Sequence, residues 1–250
     1  MDISTQTLAA QSHAMARLAQ AAYLDDSKEF FDEWDLGTDY LSLSNDDADG
    51  FIGCNDTQIL ITIRGTEPTH LKDLLADAQA WPKTNGVGWV HSGFRAYARK
   101  LLPTILDFVA ARPGRSIWIT GHSLGAAAAL YITQELEWAG YSDITLFTYG
   151  CPRLGNADYV KQIKSAHHRF VNSNDVVPRV PPSLLGYRHH GILHYIDFDG
   201  NITKMGYLAW VADVYKSLWD SWTHGVLLDG IADHSMSEYV GHLSKIDHIS

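Results

Sequence analysis

Positive charge is scarce in this sequence: its 250 residues hold 19 lysines and arginines against 29 aspartates and glutamates, a formal net charge of −10. A protein that grips nucleic acid sets basic side chains against phosphates and releases their counterions, so this balance excludes that class of partner. Anionic membranes are disfavoured for the same reason. Cysteine is nearly absent. Cys54 and Cys151 have no neighbours at metal-binding or redox spacing, which leaves neither a disulfide framework nor a cysteine metal site. Long apolar runs are missing too, none approaching the roughly 18 residues of a membrane span, and Met1-Asp2-Ile3-Ser4-Thr5 has no basic region followed by an apolar stretch. The expectation is a soluble chain, cytoplasmic as it stands or extracellular if a leader has been removed.

What is present describes a globular protein with a sizeable core, 46% hydrophobic and 11% aromatic. No repeat, linker or composition break divides it, so residues 1–250 are expected to form one domain. The charge is unevenly spread. Residues 1–56 hold twelve acids against Arg17 and Lys28, and the rest of the chain is formally neutral.

From Thr5 to Leu24, residues Leu8, Met15, Leu18 and Ala22 recur at helical spacing. Gln58 to Arg64 and Ser116 to Thr120 are short β-branched runs closed by glycine, the pattern of buried strands. Leu124 to Ala139 reads as a helix ending at Gly140, Ile144 to Tyr149 as a strand, Phe170 to Asn172 as a brief strand and Ile192 to Phe198 as a longer one. Alternating strands and helices imply a largely parallel sheet covered by helices. Phe94 to Ala111 also has helical periodicity, with a kink or break expected at Pro103. Asn45, Asp47, Asp49 and Asp56 loosely echo a calcium loop but lack its terminal glutamate and flanking helices, and an acidic hairpin turn feeding a strand at Phe51 fits better. His189, His190 and His194 have no second cluster at zinc-site spacing, so no metal is expected.

Gly121-His122-Ser123-Leu124-Gly125 lies directly between an expected strand and an expected helix. That is the setting of a G-x-S-x-G nucleophile elbow, whose sharp turn lifts the serine hydroxyl above the sheet while the helix N-terminus presents free N–H groups to an oxyanion. A serine hydroxyl needs a base to take its proton and a carboxylate to orient that base. In α/β-hydrolases these follow in the order Ser, Asp, His. Asp175 stands just beyond an expected strand end. Four histidines that follow it, His189, His190, His194 and His234, all satisfy the order.

Six segments occur in the order seen in the fungal-type, class 3 lipase family: Ile63-Arg64-Gly65-Thr66, His91-Ser92-Gly93-Phe94, Gly121 to Ala126, Thr148 to Asn156, Asn174-Asp175-Val176-Val177-Pro178 and Asp233-His234. The chain resembles that family over about residues 50 to 240. The resemblance implies an α/β-hydrolase fold, with a mostly parallel sheet between helices and a helical lid after the first oxyanion loop. It implies Ser123 as nucleophile, Asp175 as acid and His234 as base, with an oxyanion hole from the backbone N–H of Leu124 and from Thr66. The substrate-binding residues expected from it are His122, Leu71, Leu74, Leu75 and His189.

Leu71, Leu74, Leu75, Ala78 and Trp81 fall at helical spacing where the lid would lie, and Tyr207 to Trp222 paints one wide apolar face opposite Asp213, Lys216, Ser217 and Asp220. The second stretch matches no motif of the family. The expected activity is that of a cofactor-free carboxylic-ester hydrolase, a triacylglycerol lipase by resemblance, acting on a neutral ester or lipid at a lipid–water interface. The alternatives are a phospholipase A1, a carboxylesterase of short or aromatic acids, or a lipase-like binding module without activity.

Overall fold

The computed structural model describes residues 2–24, 28–34, 39–65, 82–84, 86–173, 175–203 and 234–249. Its strands are β1 (Tyr40–Asn45), β2 (Ala48–Cys54), β3 (Gln58–Ile63), β4 (Pro82–Thr84), β5 (Trp89–His91), β6 (Ser116–His122), β7 (Ile144–Tyr149), β8 (Gly155–Asn156), β9 (Ala166–Asn172), β10 (Tyr187–Arg188), β11 (Ile192–Ile196) and β12 (Ile202–Thr203). Eight form the main sheet in the order β1-β2-β3-β6-β7-β9-β11-β12, and β10-β8-β5-β4 make a small second sheet. From β3 to β11 the main sheet is parallel. Antiparallel strands flank it on both sides.

Every residue of β3, and all but the first of β6, is buried, as befits strands covered on both faces. Alternation sorts their side chains. Ile59, Ile61, Ile63, Ile117, Ile119 and Leu146 pack with the helices Ser92–Ala110 and Leu124–Trp138. Leu60, Trp118, Phe147, Tyr149 and Phe170 face the opposite way, onto the N-terminal helix Leu8–Ala21 and the C-terminal helix Met236–Leu243. The parallel strands advance across the sheet in chain order. Right-handed crossovers therefore keep their connecting helices on one face, and the other is left to the two ends of the chain.

The N-terminal helix is fastened across three neighbouring strands. Its carbonyls at Leu18, Met15 and Ser12, each three residues apart, accept hydrogen bonds from Thr62 of β3 (3.2 Å), Thr120 of β6 (3.1 Å) and Tyr149 of β7 (2.5 Å). Buried hydroxyls on the sheet are satisfied this way without interrupting either the helix or the strands.

Two local expectations need revision. Ser92–Ala110 is one continuous helix with Pro103 inside it. Pro103 and residue 99, whose carbonyl loses its helical donor, lie on the exposed face, where water can take the missing hydrogen bond. β9 begins four residues earlier than the brief strand expected, at Ala166, because its polar start pairs with β7 as well as β11. The acidic turn is a two-residue hairpin between β1 and β2. Asp46 takes positive φ there (56°), and Lys100 of the long helix sits against Asp47 and 3.7 Å from Asp46. The expected lid helix at 68–81 and the amphipathic stretch at 207–222 lie outside the described residues.

Candidate active site

Ser123 links β6 to the helix Leu124–Trp138 with φ 57° and ψ −128°, a conformation that costs a non-glycine residue about 1–3 kcal/mol and persists where the surroundings enforce it. The surroundings here are glycines. A Cβ on Gly121 would lie 2.5 Å from the carbonyl oxygen of Gly125, and one on Gly125 would lie 2.3 Å from that of Ile63. Both approaches are impossible for any side chain, so the spacing of the motif is a packing requirement. The N–H of Ser123 donates to Tyr149 of β7 (3.1 Å), which fixes the turn against the next strand. Leu124, as the first residue of the helix, has no acceptor for its N–H within the helix.

Asp175 follows β9 by three residues and is wholly buried. Its Oδ1 accepts the N–H of Val177 (2.9 Å) and its Oδ2 the hydroxyl of Tyr239 (2.6 Å). His234 Nδ1 stands 2.8 Å from Oδ2 and 3.0 Å from Oδ1. A carboxylate accepts only, so Nδ1 carries the proton and Nε2 is left as the base-forming nitrogen. Among the described residues, Ser123 Oγ and His234 Nε2 are buried atoms without a hydrogen-bond partner. The His234–Asp175 pair rests on Gly150, which has φ 60° just beyond β7; a Cβ there would come within 2.7 Å of the imidazole and 2.8 Å of the carboxylate.

Of the four candidate histidines named from the sequence, His234 alone bonds Asp175. His189 donates Nε2–H to the carbonyl of Pro178 (2.8 Å), bracing the loop that carries Asp175. His190 meets His167 (Nδ1 to Nδ1, 3.1 Å), and His194 meets His168 (3.0 Å). Burial pushes the pKa of His189 well below the ordinary value, helped by Arg169 and Arg153, so it is a neutral donor.

His122 is buried beside Ser123 with both ring nitrogens engaged. Nε2 lies 2.6 Å from the carbonyl oxygen of His234 and must donate; Nδ1 then accepts from the hydroxyl of Tyr23 at 2.8 Å. Burial, and then the nearby His234, hold its pKa well below the usual range, which keeps the ring neutral and this pattern intact. A position expected to bind substrate thus spends its polar atoms on the backbone of His234 and on the N-terminal segment.

The turn into the expected oxyanion loop is also braced. Gly65 packs where a Cβ would meet the carbonyl of His122 (2.4 Å), the hydroxyl of Tyr23 (2.5 Å) and Cβ of Ser123 (3.1 Å). The Arg64 carbonyl accepts from Tyr97 (2.8 Å). Thr66 itself, and Leu71, Leu74 and Leu75, lie outside the described residues. The remaining motifs act as scaffold. His91 caps the long helix at Phe94, Asn156 accepts N–H groups of Trp89 and Tyr159, and Arg153 binds the carbonyls of Arg179 and Pro181 in the Asp175 loop. Sequence reasoning missed Tyr239 and Tyr23. Neither carries a local signal, since each reaches its partner across 64 and 99 residues of chain.

The family model described as lipase (class 3) matches residues 60–185. A lipase of Rhizomucor miehei is 33% identical over 157 residues, covering 58% of this chain and 43% of that protein. A secreted mono- and diacylglycerol lipase of Fusarium solani is 32% identical over 151 residues, 56% of this chain and 44% of that protein. The chain thus matches less than half the length of either relative. The crystal structure of a lipase from Rhizopus microsporus var. chinensis superposes with a TM-score of 0.61 at 27% identity, over 74% of this chain and 72% of that one, in keeping with the expected α/β-hydrolase architecture. With half of its length matched by the family model and its fold superposing on a solved lipase, the chain belongs to the class 3 lipase family.

Proposed function

We propose that this chain is a cofactor-free serine hydrolase of carboxylic esters, with triacylglycerol as its first substrate class. Ser123 is the nucleophile, His234 the base, Asp175 the acid that orients it, and Leu124 and Thr66 the oxyanion donors. The observation that carries the reading is the pair of buried, unpartnered atoms, Ser123 Oγ and His234 Nε2, beside an acid whose two oxygens are both engaged. The lipase of Rhizomucor miehei and the mono- and diacylglycerol lipase of Fusarium solani support acylglycerol esters as the wider class.

Ser123 Oγ attacks the ester carbonyl carbon while its proton passes to His234 Nε2, and the carbonyl oxygen becomes an oxyanion facing the N–H of Leu124. The imidazolium formed beside Asp175 returns that proton to the departing alcohol as the C–O bond breaks. Water, deprotonated by the same nitrogen, then attacks the acyl-serine and releases the carboxylic acid and free Ser123. Loss of one oxyanion donor costs about 3–4 kcal/mol of transition-state stabilisation.

A fluorophosphonate probe is expected to label the wild-type protein at Ser123 and to leave Ser123→Ala untouched. A folded wild-type sample that resists labelling refutes the enzyme reading. Initial rates on emulsified triglyceride, dissolved p-nitrophenyl esters and phosphatidylcholine then choose among lipase, soluble esterase and phospholipase A1. The proposal requires the triglyceride to be the best of the three.

A further inference from the structure

We infer that the segment around Leu184 and Leu185 is a rigid anchor for a lipid–water interface that carries anionic lipid. This rests on the lipid-ester reading of the site and adds the surface by which the protein is held at its substrate.

Large apolar side chains are rarely left fully in water, and here they are concentrated. Leu184 is 97% exposed and Leu185 56%, and Ile192 and Leu193 in the same stretch are exposed as well. A mobile loop could fold such side chains away; this one is built to present them. Ser183–Leu185 forms one 3-10 turn, closed by Leu185 N–H to Pro182 (3.0 Å) and Gly186 N–H to Ser183 (3.0 Å), with Gly186 at φ 88°. Arg188 Nη1 reaches back to the carbonyls of Ser183 and Tyr187, both at 2.8 Å. Behind the turn, the Trp89 ring lies where a Cβ on Gly186 would meet it at 3.2 Å and packs edge-on against Tyr187 at 4.6 Å. The two leucines are thus carried on a tip that is hydrogen-bonded along its own backbone and backed by aromatic rings.

Charge chooses the occupant. In a chain of net charge −10, residues 176–196 contain no aspartate or glutamate, but include Arg179 and Arg188. Arg188 is exposed and Arg179 half-buried. An apolar tip beside the exposed Arg188, on a stretch without a carboxylate, suits acyl chains beneath a layer of negative lipid headgroups. The whole-chain acidity that disfavours anionic surfaces is absent from this stretch. The tip continues the loop that begins at Asp175 and is held by Arg153. Docking there fixes the interface relative to the acid of the site.

The test is flotation of the full chain with vesicles of phosphatidylcholine alone and of phosphatidylcholine mixed with phosphatidylglycerol. Wild type is expected to bind the mixed vesicles more tightly. The double variant Leu184→Ser, Leu185→Ser is expected to weaken that binding at least about tenfold, since two leucines no longer leave water, while keeping the wild-type rate on a dissolved p-nitrophenyl ester. As a second measurement, Leu184→Trp should show a blue shift in emission upon addition of mixed vesicles that wild type lacks. Equal binding by wild type and the double variant overturns the inference, as does a Leu184→Trp variant whose added indole stays in water. Self-association abolished by the double variant, without vesicle binding, would assign the tip to a second copy and overturn it too. Failure of the ester hydrolysis itself would fall on the proposed function and leave the vesicle measurement standing.

Discussion

Tyr239 lies five residues beyond His234 and completes the surroundings of Asp175. Its hydroxyl accepts the N–H of Asn172 (3.0 Å) and donates to Oδ2, so the carboxylate cannot rotate without breaking a bond to the C-terminal helix. If Ser123, His234 and Asp175 act as a unit, Ser123→Ala should lower kcat by about 10⁶ and Asp175→Asn by about 10⁴, measured on a dissolved ester. Tyr239→Phe should act more gently. It removes one hydrogen bond to a charged group, about 1.5–3 kcal/mol, so kcat is expected to fall by at least about tenfold with KM unchanged. A rise in KM at constant kcat would mean that Tyr239 shapes the binding site instead. Gly150→Ala is the severe case at this scale: positive φ and the two close approaches leave no room for a methyl group, and activity should be lost along with some stability.

At the scale of elements, β9, β11 and the link that leads into β11 hold a set of neutral histidines. Thr148 Oγ1 is 2.7 Å from His167 Nε2, His167 Nδ1 meets His190 Nδ1, and His190 is hydrogen-bonded to the backbone of Ile163. Thr148 donating to His167, His167 to His190, and His190 to the Ile163 carbonyl satisfies every group with both rings neutral. His168 and His194 form a second pair stacked against Phe147 and Phe170. Burial lowers the pKa of all four, that of His194 to about 4. Each still takes a proton near pH 6.5 when the chain unfolds. Below that value the unfolded chain binds more protons, so the contribution is complete above about pH 6.5 and declines as pH falls towards the depressed folded value. For His194 the window runs from about 6.5 to about 4, at no more than about 1.4 kcal/mol per pH unit. Thermal melts should show Tm dropping through that window, and His194→Phe should flatten the drop. An unchanged slope in the variant would show that the loss comes from the carboxylates.

The same elements show what could be read beforehand. β3, β6 and β7 were legible because buried parallel strands are unbroken apolar runs, and the elbow because its two glycines bracket the serine directly between a strand and a helix. β1, the two-residue strands and the polar start of β9 were not. β1 offers one short alternation, Leu41 to Ser44, beside an acidic turn, the others carry no apolar period, and all are strands because a neighbour's edge is there to pair with. The choice of His234 over His189, His190 and His194 needed the family resemblance, since chain order allowed all four. Only the fold shows the other three bonded elsewhere.

Over the whole molecule, the segment that the family model does not match is wired to the site. The N-terminal helix precedes the matched residues 60–185, yet it buries Met15 and Leu18 on the sheet, binds three strands through its carbonyls and leads to Tyr23, which donates to His122, which in turn holds His234. Its Arg17 pairs with Glu33, one of the acids of the N-terminal stretch. Burying side chains such as Ile3, Met15 and Leu18 contributes about 1.5–3 kcal/mol each, against a total stability of about 5–15 kcal/mol for a domain. A chain lacking residues 2–24 should therefore lose its cooperative thermal transition altogether. Tyr23→Phe separates the wiring from the packing. It leaves His122 Nδ1 buried without a donor at a cost of about 1–3 kcal/mol, so Tm should fall by a few degrees while kcat on a dissolved ester falls beyond what the lost folded fraction explains. If the truncated chain melts cooperatively and hydrolyses esters at the wild-type rate, the N-terminal helix is a cover and no part of the catalytic unit.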